Sequence, residues 1–178
     1  MSANACDRNY YLIMNKNCTE ITAKIDDCLD KLYEEEKDFS EKNLSERCLV
    51  FRFAHYLQNE FGNDYFVDCD YNSSVYQDPE SGEWKKRNGK LILDQRTGAL
   101  KKRFIDVIVH KRGPDASSDF ICFEFKKWNN SKPDAVRKDE NNLKVLTSQY
   151  GYQFGFHLTF AKERSKVGLK IFNNGDQL

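Results

Sequence analysis

Two short apolar runs, at residues 104–110 and 119–127, contain charged side chains at positions where charge is costly. Both runs are rich in β-branched and aromatic residues and are bounded by charged or turn segments, a pattern that predicts two strands. Apolar residues occupy both sets of alternating positions, so both faces of each strand should be covered. We therefore expect these strands in the middle of a sheet that has helices packed on it.

The charged residues within the two runs are Asp106, Glu124 and Lys126. An ionised carboxylate without a partner is expensive to bury, so each acid should be ion-paired, protonated or bound to a cation. Because side chains alternate along a strand, Glu124 and Lys126 should share one face. If the Asp106 strand lies alongside, two carboxylates and one ammonium converge in a set that suits a hydrated Mg²⁺ ion. A buried ion-pair network with a purely structural role satisfies the same cost.

Periodicity predicts the other elements of the chain. In chain order, these are helices over 19–38 and 45–61, a strand over 65–71, a helix over 135–150, and strands over 154–160 and 167–172, the last near the sheet edge. The polar segment from residue 72 to residue 103 carries several turn signals. It is predicted to be a hairpin-like insertion or a flexible flap.

A third acid is predicted to point toward the sheet from the second helix. Ser45 is a favourable N-cap residue, and Glu46 follows it in the first helical turn. Seven residues nearly complete two turns, so Glu46 is aligned with Phe53 on the inward face. The helix dipole favours a glutamate at this position wherever it points, which is the structural alternative.

The chain has the length of one domain and no net charge, but its charge is unevenly distributed. Residues 1–80 contain 17 acidic and 8 basic side chains, whereas the remainder contains 11 acidic and 20 basic ones. The basic half contains both charged strands, which favours a positive field around a cleft. For any one group of basic residues, the alternative is an ordinary solvated loop with no binding role. The candidate phosphate-binding residues are Lys85, Lys86, Arg87, Lys101, Lys102, Arg103 and Lys127.

The six cysteines include no Cys-x-x-Cys pair and do not have the Cys and His spacing of a zinc site, so the sequence supports neither a zinc motif nor a redox motif. They are interpreted as reduced thiols. No basic stretch leads into an apolar segment at the N-terminus, and no apolar run approaches membrane-spanning length. We therefore expect a cytoplasmic protein without a membrane partner.

The order of these elements and acids resembles the PD-(D/E)XK nuclease superfamily, which has the restriction-endonuclease-like fold. Asp106 matches the acid of the family's second strand, although Ile105 stands where the name-giving proline would be. Glu124-Phe125-Lys126 matches the Glu-x-Lys of the third strand, and Glu46 matches the glutamate that often precedes the strands. The Asp-x-x-x-Leu-x-x-Leu pattern from Asp139, followed by the Tyr and Gly residues at 150–155, also resembles bacterial members.

The resemblance covers about residues 44–160 and implies a single α/β (α+β) domain over residues 1–178. Its αβββαβ core, at about residues 44–172, would have a central mixed sheet flanked by helices. An N-terminal helical extension at 1–40 and a polar β-hairpin insertion at 72–103 would be additions to that core.

The implied activity is Mg²⁺- or Mn²⁺-dependent hydrolysis of a nucleic acid, DNA rather than RNA. Asp106, Glu124 and the Phe125 carbonyl would hold the metal, with Glu46 as a further ligand. Lys126 would position or help to deprotonate the attacking water, a role that a lowered pKa would favour. The implied catalytic set is thus Glu46, Asp106, Glu124 and Lys126.

Three alternatives stay open at this stage. The first is a catalytically silent nuclease-like fold that serves as a nucleic-acid-binding or protein-binding subunit. The second is a toxin, immunity or defence component that acts on RNA. The third concerns assembly, since both a homodimer and a larger complex are compatible with the sequence.

Overall fold

The computed structural model describes residues 5–39, 42–72, 75–78, 80–86, 89–94, 97–111 and 119–178. The helices within these residues are α1 (Ala5–Glu35), α2 (Glu46–Phe61) and α3 (Pro133–Gln149). The strands are β1 (Phe66–Tyr71), β2 (Val75–Gln77), β3 (Trp84–Lys86), β4 (Leu91–Asp94), β5 (Ala99–Lys102), β6 (Ile105–His110), β7 (Asp119–Lys127), β8 (Phe154–Phe160), β9 (Gly168–Asn173) and β10 (Asp176–Gln177).

Helix α1 begins earlier than predicted, at Ala5 rather than at Thr19. The prediction followed the apolar stripe that packs on the core, and that stripe starts at Ile21, which is buried. No glycine or proline interrupts the chain before residue 62, so nothing in the sequence ends the helix on its N-terminal side. The predicted end at Asp38 was also late, because α1 stops at Glu35 and a short 3₁₀ turn follows at Lys37–Phe39.

Helix α2 begins and ends as its sequence predicts. The Ser45 hydroxyl accepts a hydrogen bond from the Cys48 amide at 3.2 Å and caps the N-terminus. Gly62 ends the helix with φ of 62°, a left-handed conformation that glycine adopts without strain. The buried stripe contains Leu49, Phe53 and Leu57.

The main sheet has six strands in the order β1-β6-β7-β8-β9-β10. Strands β1, β6 and β7 are antiparallel neighbours, whereas β7 and β8 run parallel. A parallel pair needs a long crossover, and α3 provides it. The molecule is therefore mixed α and β, and the two strands with charged residues occupy the centre of the sheet.

Helices cover both faces of this sheet. One face carries large apolar side chains against α1 and α2, including Phe123, Phe125 and Phe156, and it forms the larger core. The other face packs on α3 through a smaller core that includes Ile108, Cys122 and Leu143. As the alternation predicts, Phe123 and Phe125 belong to the first face, and Glu124 and Lys126 belong to the second.

The insertion between β1 and β6 contains two antiparallel hairpins, β2–β3 and β4–β5. The Asn72 amide donates to the Arg103 carbonyl at 2.5 Å, which joins the two ends of the insertion. The Tyr150 hydroxyl, at the end of α3, exchanges hydrogen bonds with both the amide and the carbonyl of Leu91. The second hairpin is therefore attached to the domain rather than free.

Among the described residues, no helix is both long enough and apolar enough to cross a membrane. Cys18, Cys28, Cys48, Cys69 and Cys122 are free thiols, and the side chain of Cys6 lies outside the described residues.

Candidate functional site

The charged residues of the central strands meet where β6 begins and β7 ends. Antiparallel pairing sets these two strand ends side by side, and the register that pairs Val107 with Phe123 brings Asp106 alongside Glu124. One oxygen of Asp106, Oδ2, accepts a hydrogen bond from the Phe125 amide at 2.8 Å. The structure thus brings Asp106 and the Glu-x-Lys segment together.

Glu46 reaches the same strand ends from the first turn of α2. Its Oε2 accepts a hydrogen bond from the Lys127 amide at 2.8 Å. The inward orientation predicted from helical spacing therefore places this carboxylate at the end of β7. Its negative charge acts on Asp106 and on Lys126.

The Lys126 ammonium is ion-paired with a residue of α3, the Asp139 carboxylate, at 2.5 Å. The same ammonium donates to the Phe125 carbonyl at 2.8 Å. Asp139 was not predicted as a site residue, although its place at the head of the Asp-x-x-x-Leu-x-x-Leu pattern was a signal that could have found it. It extends the cluster of Glu46, Asp106, Glu124 and Lys126 by a fourth acid.

Glu124 is the most enclosed member of the cluster, with 4% of its surface exposed. Its Oε1 accepts a hydrogen bond from the Asn142 amide of α3 at 3.4 Å. Both Asn142 and Asp139 are buried on the face of α3 that packs on the sheet. The register sets His157 of β8 beside Glu124, and that imidazole is buried as well.

A cleft of about 250 Å³ opens beside this cluster. It lies between the N-terminal half of α2, the end of β1 and the start of β6. Its described lining consists of Glu46, Arg47, Val50, Phe51, Cys69, Asp70 and Asp106. Three carboxylates and one guanidinium therefore face the same space, and Glu124 and Lys126 lie outside its wall.

Burial and mutual repulsion shift the protonation of the acids. Burial raises the pKa of Asp106 to about 6, against the lowering effects of the Phe125 amide and the Lys126 charge. Burial also raises the pKa of Glu124 well above its usual range, and the negative charges of Asp106 and Asp139 add to this shift. Such shifts are typical of carboxyl groups that are removed from water and lie close to one another.

The pKa of Lys126 is raised, not lowered. Burial alone would lower it, but the hydrogen bond and the negative charge of Asp139 outweigh burial. Lys126 is therefore an ammonium near neutral pH. The lowered pKa that would have suited a proton-accepting role is absent because Asp139, a partner that the sequence did not predict, stabilises the protonated form.

The donor chemistry of the cleft fits a hard divalent cation. Glu46 and Asp106 supply carboxylate oxygens, and Mg²⁺ commonly takes only one or two carboxylates together with waters. The described lining would carry two net negative charges with all its groups ionised, a charge that one divalent ion balances. Among the described residues, however, no three His, Cys, Asp or Glu side chains are already close enough to coordinate one ion.

The candidate phosphate-binding residues take several different positions. Lys101 is paired with Asp94 at 2.8 Å, Arg103 lies 3.8 Å from the same carboxylate, and Lys85 is paired with Asp78. Lys102 is exposed on β5. Arg87 and the side chain of Lys86 lie outside the described residues.

Lys127 has a structural position rather than a place on a nucleic-acid surface. It is 4% exposed, and its ammonium donates to Asn43 Oδ1 at 2.7 Å and to the Leu44 carbonyl at 2.5 Å. It also lies over the Trp128 ring, 4.5 Å from the ring centroid. Its side chain points to the α2 face because it is an odd-numbered residue of β7, like Phe125.

No protein-family model, curated protein or solved structure matches this chain.

Proposed function

We propose that this protein is a metal-dependent nuclease of the PD-(D/E)XK kind, acting on DNA in preference to RNA. The observation that carries the proposal is the meeting of Glu46, Asp106 and the Glu124-Phe125-Lys126 segment at one pair of strand ends, beside a cleft. These residues come from three separate elements that only the fold brings together.

The order of elements supports the same proposal. From α2 onward, the main elements follow as helix, three antiparallel strands, crossover helix and parallel strand, if the insertion is set aside. This is the αβββαβ order that the resemblance implies. The insertion and α1 then correspond to additions around a nuclease-like core.

The residues take distinct roles in this proposal. Asp106 and Glu46, which line the cleft, would bind the ion, and Glu124 and the Phe125 carbonyl on the neighbouring strand would be further ligands. A bound divalent ion would supply an activated water and would balance charge on the phosphoryl oxygens. Lys126, held as a cation by Asp139, would orient the attacking water and offset charge that develops on the phosphate.

The test is cleavage of a labelled DNA with and without Mg²⁺ or Mn²⁺, compared between the parent and two variants. Asp106→Asn and Lys126→Ala should each lower the cleavage rate at least about a hundredfold. Ser148→Ala, on an exposed turn of α3, is the matched control and should cleave at the parent's rate. Equal cleavage by Asp106→Asn and the parent, or cleavage that is unaffected by chelators, would overturn the assigned roles.

A second candidate is the catalytically silent fold that binds nucleic acid or a protein. The observation that favours it is the ion pair of Lys126 and Asp139, which satisfies the buried ammonium without any ligand. A parent protein that never cleaves RNA or DNA with either metal, but retards one of them or a protein partner on a gel, would support this candidate.

A further inference from the structure

We infer that the cleft contains a nucleobase-stacking subsite at Phe51, and that the preferred substrate is single-stranded or otherwise unpaired nucleic acid. This inference rests on the proposed nuclease function and adds the class of substrate. Phe51 lines the same cleft as Glu46 and Asp106, and it is 64% exposed. An exposed aromatic ring among the acidic residues of a cleft can stack on a nucleobase.

The geometry of α2 gives Phe51 this position. Residues 46 and 50 are one helical turn apart, as are residues 47 and 51, and all four line the cleft. Glu46 and Val50 adjoin the stripe that packs on the sheet, Leu49, Phe53 and Leu57, whereas Phe51 lies outside that stripe. Phe51 therefore does not serve the core, and its ring faces the space in which the scissile phosphate would lie.

Arg47 adds the charge that a phosphate requires. It lies one turn before Phe51, its side chain is 85% exposed, and its guanidinium is 3.5 Å from Asp70 across the cleft. A pair so exposed is weak and can exchange its partner at little cost. A guanidinium beside an aromatic ring is the combination that single-strand binding proteins use, one for the backbone and one for the base.

The size of the cleft favours an unpaired nucleotide over a duplex. Its volume of about 250 Å³ lies just below the range of about 300–1,000 Å³ that is typical of small-molecule sites, so it suits a single nucleotide unit. Bases in a duplex are already stacked on each other. Bringing one onto Phe51 would require unstacking that base from its neighbours, a cost that a single strand does not incur.

The test measures equilibrium binding of a fluorescent single strand and of the matching duplex by anisotropy. All variants carry Asp106→Asn, so that neither ligand is consumed. Phe51→Ala should weaken single-strand binding about tenfold and change duplex binding less than twofold. Phe51→Trp should restore single-strand binding. Phe66→Ala, an exposed phenylalanine at the opposite end of β1, is the matched control and should bind like the parent.

Arg47 is tested separately by the salt dependence of single-strand binding. Arg47→Ala should lower the slope of log affinity against log salt by about 0.7, the value for one phosphate contact on a single strand. An unchanged slope would remove Arg47 from the subsite.

The outcomes separate this inference from the proposed function. If Phe51→Ala and Phe66→Ala bind the single strand alike, or if the parent prefers duplex, the stacking subsite is wrong even where the protein cleaves DNA. If single-strand binding depends on Phe51 but no cleavage occurs with either metal, the subsite stands and the nuclease assignment fails.

Discussion

Asp139 is buried and Lys126 is partly buried, the two are oppositely charged, and their nitrogen and oxygen atoms lie 2.5 Å apart. Loss of one member of such a pair leaves an uncompensated charge in a medium of low polarity. Replacement of both members by apolar side chains avoids that cost. The pair therefore offers a way to separate structural from catalytic effects at a single residue.

We predict that Lys126→Met lowers the free energy of unfolding by about 3 kcal/mol, and that Lys126→Met combined with Asp139→Leu regains most of it. Urea unfolding gives both values. If Lys126 serves the reaction, the double variant should be stable and still inactive. A stable double variant that cleaves DNA at the parent's rate would show that Lys126 has a structural role only.

Asp106 gives a pH dependence with a definite sign. Its pKa is about 6 in the folded protein and near the ordinary 3.8 of an aspartate when unfolded, so the folded state binds more protons between these values. Stability should therefore fall as pH rises from about 4 to above 6, by up to about 3 kcal/mol. Asp106→Asn should reduce that slope in unfolding experiments over this pH range and leave the part that comes from Glu124, whose pKa is raised as well. If the Asp106→Asn variant keeps the parent's full slope, Asp106 does not have a raised pKa in the folded protein.

At the scale of elements, the close packing of α3 on the sheet brings two polar residues of the helix to the charged cluster. Asp139 and Asn142 reach Lys126 and Glu124 because α3 lies close on β8 at Gly155. A Cβ added at Gly155 would come within 3.2 Å of side-chain atoms of Leu143 and Thr147. The missing side chain therefore allows the close approach of helix and sheet.

We predict that Gly155→Ala displaces α3 and lowers the free energy of unfolding by about 1–3 kcal/mol, with a loss of activity larger than this destabilisation explains. Gly168→Ala is the control, because its Cβ would lie 3.7 Å from Thr159 Cβ, an ordinary contact. Thermal unfolding and cleavage rates check both variants. Equal stability and equal cleavage rates in the two variants would show that the contact between α3 and β8 tolerates a methyl group.

Much of this element structure was predictable from local pattern. The N-cap at Ser45, the two central strands and the facing of Glu124 follow from spacing and alternation, which act within a few residues. The partner of Lys126 did not follow, because it lies on another element, and only the packed fold brings Asp139 to it. The start of α1 was missed for a related reason, since the predicted start relied on a core-packing stripe.

At the scale of the molecule, the two faces of the sheet differ in the side chains that they bury. The face under α1 and α2 is a phenylalanine-rich core with the buried Lys127 at its end, and the face under α3 contains the buried carboxyls Glu124 and Asp139. A cluster of acids is destabilising unless a cation joins it. The proposed ion would therefore stabilise the whole domain as well as serve the reaction.

We predict that saturating Mg²⁺ raises the melting temperature by about 5 °C at pH 7.5 and much less at pH 5, where Asp106 is largely protonated. The same pH comparison with Asp106→Asn should show no Mg²⁺ effect at either pH. A rise of equal size in the parent and in this variant would place the ion elsewhere.

The most direct test of the central claim is an anomalous difference map from crystals soaked in Mn²⁺. The account predicts a peak in the cleft between α2 and β6, within about 2.5 Å of an Asp106 oxygen and with Glu46 or Glu124 as a second ligand. A soak at saturating Mn²⁺ that gives no peak in this cleft, or only a peak bound by surface acids, would contradict it.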